Sequence, residues 1–158
     1  MFPSQGIPTP SPSAAEAEAG ALWRPDLATG IPEIDRQHRE LLVQIAELGE
    51  AARTGDLPLA ENVLSYLERY AARHFATEER FMLAYGYPNL ETHWSLHMAF
   101  ASELARRKAE YAAHRSLATL IADLGQWMAR WLNEHVLEED ARMARFLRGH
   151  AGAASSAP

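Results

Sequence analysis

Four stretches of this chain repeat apolar side chains at intervals of three and four residues, and each places a histidine on the apolar stripe. The first carries Ile34, His38, Leu41, Leu42, Ile45 and Leu48, and the second Val63, Leu67, Tyr70, His74, Glu78 and Phe81. The third runs through Leu90, His93, His97, Phe100 and Leu104. The fourth holds Leu117, Leu120, Ile121, Leu124, Trp127, Met128, Trp131, Leu132 and His135. At about 100° per residue such spacings return side chains to one face, so each stretch is predicted to be an amphipathic helix. The first is expected to begin near Pro32 or Glu33 and to break at Gly55, after which Asp56 caps the second. Gly86-Tyr87-Pro88 ends the second, Asn89 caps the third and Ser116 opens the fourth. Gly125 interrupts the fourth at a cost of about 1 kcal/mol against alanine, which its strong periodicity outweighs. No alternation suggests a strand. Short joins between helices of about 20 residues predict an all-α fold, an antiparallel up-down-up-down four-helix bundle. Leu22-Trp23-Arg24-Pro25 brings apolar bulk ahead of the first helix and reads as an ordered N-terminal arm.

Residues 1–20 lack that rhythm, and Pro3, Pro8, Pro10 and Pro12 oppose a helix there. The expected layout is a disordered tail over 1–20, one bundle domain over 21–148, and a second disordered tail over 149–158. The first tail holds no Lys or Arg and no apolar segment, so it does not resemble a secretory signal, and a cytoplasmic location is expected. No apolar run approaches the ~20 residues of a membrane span. A formal charge of −6 argues against a nucleic-acid partner. Cysteine is absent, which removes thiolate chemistry and leaves imidazole and carboxylate as the available metal donors.

Five of the seven histidines lie on the inward stripes, with at least one on every helix. A single histidine in such a place is usually a core residue bonded to a neighbour. Five of them with two carboxylates are another matter, because burying that set unpaired would cost several kcal/mol out of a total stability of ~5–15 kcal/mol. Metal coordination satisfies them together. His38 comes early in the first helix, His74 and Glu78 late in the second, His93 and His97 early in the third, and His135 at the end of the fourth. In an antiparallel bundle these positions share one level. Only His135 and Asp140 misfit, since a separation of five leaves them about 140° apart on a regular helix. The fourth helix must therefore end or loosen between them. Glu138 and Glu139 are better read as facing solvent. Seven N/O donors suggest two ions; imidazole with carboxylate suits iron, with copper or zinc also compatible.

The spacings His38, His74-x3-Glu78, His93-x3-His97 and His135-x4-Asp140 resemble the hemerythrin family in its bacterial single-domain form. Gly30-Ile31, Ile34-Asp35, Gln37-His38, His74-Phe75, Glu78-Glu79 and Phe81-Met82 extend the likeness, which spans Leu22 to Phe146. The resemblance implies two non-haem iron ions with an oxo or hydroxo bridge and reversible binding of O2. One iron would take His93, His97 and His135, the other His38 and His74, with Glu78 and Asp140 bridging. Three histidines and three bridges then fill six positions on the first iron, while two histidines and three bridges leave one vacancy on the second for O2. A dry pocket is needed for reversibility; Leu41, Leu42 and Trp131, one turn from His38 and His135, are candidates for its wall as well as for plain core. The implied role is oxygen storage, delivery or sensing by a monomer, without turnover, with an unidentified protein as a possible recipient of the O2. The alternative is a di-iron enzyme on the same site, a peroxidase, oxidase or nitric-oxide-handling protein.

Overall fold

The structure, a computed structural model, describes residues 13–114 and 116–154. Helix α1 spans Ala14–Leu22, and a 3-10 turn at Pro25–Leu27 leads to α2, Pro32–Thr54. Helices α3 (Leu57–Tyr85), α4 (Leu90–His114) and α5 (Leu117–Trp131) follow. The chain then widens into a π-helical segment, Leu132–Asp140, and closes with α6, Ala141–Ala154. No strand occurs among the described residues, and no helix of theirs is long and apolar enough to cross a membrane. Helix α2 packs on α3, α3 on α4, α4 on α5 and α5 back on α2, which closes the bundle.

Local signals set these ends. Gly55 and Gly86 adopt φ of 71° and 65°, the left-handed conformation that glycine enters without strain, and stop α2 and α3. The Asp56 carboxylate accepts the Leu59 N–H at 2.9 Å, and Ser116 accepts that of Thr119 at 3.4 Å.

Two expectations about the ends of the chain are corrected. Residues 14–20, predicted as tail, form most of α1. The prolines lie ahead of it, and from Ala14 the chain is rich in alanine and glutamate, good helix formers. Ser13 and Glu16 complete a reciprocal cap, with contacts of 2.6 and 3.2 Å. From Gly149 the chain was expected to form a disordered tail, yet α6 continues to Ala154. Its earlier turns are anchored by Met143 and Leu147, so extending it across Gly149 requires no new nucleus. The rest of both predicted tails, residues 1–12 and 155–158, lies outside the described residues.

The core is divided in a way that matters for the site. The largest cluster, including Leu41, Leu67, Tyr70, Phe75, Phe100, Leu124, Trp127 and Met128, fills the body of the bundle. Ile34, Met82, Tyr87, Met143 and Leu147 close one end. On α2, α3 and the last helical stretch, the buried polar residues fall between these two clusters. A third group, Ala19, Leu27, Leu42 and Val136, seats the arm against α2 and the π segment. The arm is also tied to α2 by Asp35. Its Oδ1 accepts the N–H and the hydroxyl of Thr29, both at 2.7 Å, and its Oδ2 accepts the Gly30 N–H at 3.1 Å. Bonds to a charged acceptor are the stronger kind, and Asp35→Ala strands three donors. It is expected to lower the unfolding free energy by about 3 kcal/mol in urea denaturation; a change under about 0.5 kcal/mol would show that apolar packing alone holds the arm.

Candidate metal centre

His38, His74, Glu78, His93, His97, His135 and Asp140 converge at one level of the bundle, each at most 2% exposed. Every one of the seven donors predicted from spacing is brought to this point. They form two overlapping groups, Glu78 with His93, His97 and His135, and Glu78 with His38, His74 and Asp140. Within each group the donor atoms lie within 4.8 Å of one another, as binding to a common ion requires.

Glu78 belongs to both groups, and Asp140, a member of the second, also reaches two histidines of the first. Glu78 turns Oε1 to His74 Nε2 at 3.4 Å and Oε2 to His93 and His97 Nε2 at 3.2 and 3.1 Å. Asp140 turns Oδ2 to His38 Nε2 at 3.2 Å and Oδ1 to His93 and His135 Nε2 at 3.4 and 3.1 Å. Adjacent donors around a six-coordinate ion with bonds of about 2.1 Å sit about 3.0 Å apart, close to these separations. The Nε2 atoms of His38, His74, His97 and His135, Glu78 Oε1 and both Asp140 oxygens are buried without a hydrogen-bond partner among the described residues. Such orphaned lone pairs, all aimed inward, fit a pair of cations.

The π segment removes the one misfit of spacing. His135 and Asp140 lie within Leu132–Asp140, where hydrogen bonds run from i to i+5, so residues five apart become neighbours across a turn. The helix loosens and does not end. Glu138 is exposed, as expected; Glu139 is partly buried and pairs with Arg142 at 2.6 Å.

Spacing alone missed two outer partners. His74 Nδ1 bonds to Gln37 Oε1 at 2.9 Å, and the Gln37 amide donates to Thr77 Oγ1 at 3.0 Å. His97 Nδ1 bonds to Glu79 Oε1 at 3.1 Å. In each case the ring donates from Nδ1, which leaves Nε2 as the inward lone pair. Gln37 and Glu79 directly precede and follow predicted donors, but nothing in their spacing says that they reach across to another helix.

The electrostatics follow from burial and crowding. Burial weighs most on Glu78 and Asp140 and opposes their ionisation. Around Glu78, His74, His93 and His97 outweigh it and hold the carboxyl down at about 2; around Asp140, His135, His38 and His93 hold it well below the usual range. Burial also disfavours charge on His93, yet Asp140 and Glu78 raise it to about 9, while burial dominates at His74 and lowers it to about 4.

The residues predicted as pocket wall divide. Leu41 is fully buried in the main cluster. Trp131 stacks on His135 with centroids 3.8 Å apart and planes at 15°. Leu42 belongs to the arm-side group. Phe75, which the sequence did not single out, lies flat on His97 at 3.9 Å. Two buried polar atoms of this wall, Tyr70 Oη and Trp131 Nε1, have no hydrogen-bond partner among the described residues. A buried, unpaired hydroxyl of this kind costs about 1–3 kcal/mol.

The family model described as the hemerythrin HHE cation binding domain covers residues 29–147. A bacteriohemerythrin of Stenotrophomonas maltophilia is 28% identical over 129 residues, 82% of each chain. One from Pseudomonas aeruginosa is 29% identical over 123 residues, 78% of each. A hemerythrin of Sipunculus nudus is 28% identical over 127 residues, 80% of this chain and 92% of its own.

Proposed function

This chain belongs to the hemerythrin family, and on that premise we propose that it binds O2 reversibly at two non-haem iron ions, for oxygen storage, delivery or sensing. His93, His97 and His135 would hold one ion and His38 and His74 the other, with Glu78 and Asp140 available to both. An iron pair bound there would supply the electrons that O2 takes up on binding. The observation that carries this reading is the division of each carboxylate's two oxygens between unequal sets of imidazoles. Three histidines on one side and two on the other leave room for a further ligand on the poorer side.

The remaining side chains orient and dry the site. Gln37 and Glu79 fix the rings of His74 and His97 through Nδ1. Apolar clusters above and below the donor level keep bulk water away. Leu41 and Trp131 form the inner wall, with Leu42 on the arm side. Aromatic side chains cover the rings, Tyr70 on His74, Phe75 on His97, Trp131 on His135 and Tyr87 edge-on to His93, a lining that suits a carrier from which water must be kept.

Anaerobic purification, iron analysis and admission of O2 with a visible spectrum recorded throughout test the proposal. Two irons per chain and a band that appears with O2 and vanishes under vacuum are expected. An irreversible change, or fewer than two irons, would refute it. Gln37→Leu and Glu79→Leu are each expected to weaken iron binding about 10–100-fold in competition with a chelator. Unchanged affinity would mean that packing alone sets the rings.

A further inference from the structure

Tyr70, His74 and Glu78 succeed one another at intervals of one turn along the inner face of α3. Glu78 Oε1 lies 3.4 Å from the Nε2 edge of the His74 ring, and Tyr70 covers a face of it. The Tyr70 ring stacks on His74, with centroids 5.1 Å apart and planes at 21°. It is 1% exposed, and it belongs to the same apolar cluster as Leu41, Leu67 and Phe75. Its Oη has no hydrogen-bond partner among the described residues. Phenylalanine would fill the same space without burying a hydroxyl, so packing does not account for tyrosine at this position. The contrast with Tyr66 is direct. That ring stacks on the far face of Tyr70 at 6.2 Å but sends its hydroxyl outward to Glu40 at 3.4 Å.

Trp131 Nε1 and Tyr87 Oη are likewise without a hydrogen-bond partner among the described residues, but Trp131 lies against His135 and Tyr87 edge-on to His93, both on the side with three imidazoles. Tyr70 lies against His74, on the side with two. We propose that the Tyr70 hydroxyl donates a hydrogen bond to O2 held on the His38–His74 side of the centre. This rests on the oxygen-binding reading above and adds a positioning residue to it. O2 gains negative charge as it takes up electrons, and a neutral O–H in a dry, apolar wall meets that charge with little competition from water. The proton stays on Oη, and the bond slows the departure of O2.

Tyr70→Phe tests this, compared with the wild-type protein carrying two irons. Stopped-flow dissociation of O2 is expected to be about tenfold faster in the variant. The O–O stretching frequency of the bound molecule is expected to shift, which a merely structural role would not produce. Urea denaturation of the metal-free chains is expected to show Tyr70→Phe at least as stable as wild type, because the variant no longer buries an unpaired hydroxyl. An equal dissociation rate and equal frequency in a variant that still binds O2 would overturn the inference and leave the oxygen-binding reading standing. Wild-type protein that holds two irons and binds no O2 would overturn both.

Discussion

Glu78→Ala is expected to strip the protein of its paired iron, leaving one ion or fewer per chain and no colour change with O2. Glu78 is within 3.4 Å of His74 and 3.2 Å of both His93 and His97, so it contributes to both histidine sets. Its removal takes one donor from each ion. It also takes one of the two negative charges that offset the cations in a site shut off from water. Loss of an outer partner alone weakens metal binding about 10–100-fold, and loss of a shared direct ligand should exceed that. Asp140→Ala should behave alike, since Asp140 divides its oxygens in the same manner. Far-UV circular dichroism separates loss of metal from loss of fold, because the apolar clusters on both sides remain. Near-normal reversible O2 binding in either variant would remove that residue as a bridge.

Trp131→Ala is expected to raise the autoxidation rate about tenfold or more, the amount that about 1.4 kcal/mol of lost protection produces. The indole covers His135 at 3.8 Å and meets Phe100 at 4.5 Å and Phe75 at 5.8 Å. It packs against both the main cluster and the arm-side group, where it stands between the site and the arm. Truncation opens a cavity there, at a cost of about 3–5 kcal/mol if the surroundings do not collapse, and gives water a way towards the rings. Trp131→Phe should restore most of the protection by filling that space. Decay of the oxygenated spectrum in air reads the effect directly. Equal decay in wild type and Trp131→Ala would take Trp131 out of this role.

The stripes of apolar residues were enough to give four helices, and the αL glycines at 55 and 86 enough to end two of them. Antiparallel order followed from the short joins, and with it the common level of all seven donors. At the chain ends the inference failed for an identifiable reason. Prolines up to position 12 were extended to residues 14–20, where local composition and a Ser13–Glu16 cap favour a helix. Spacing required the last helix to change between His135 and Asp140, but an interrupted helix and a widened one satisfy that requirement equally.

Periodicity and donor spacing are local properties, readable along one helix at a time, and they are sufficient for the bundle and for the identity of the seven convergent residues. How Glu78 and Asp140 apportion their oxygens, which rings Gln37 and Glu79 reach, and that Leu42 turns to the arm while Tyr70 keeps an unpaired hydroxyl beside His74 all depend on the rotation of each helix about its axis. Packing between helices sets that rotation, since a turn of a few tens of degrees exchanges one inward neighbour for another without altering any spacing in the chain.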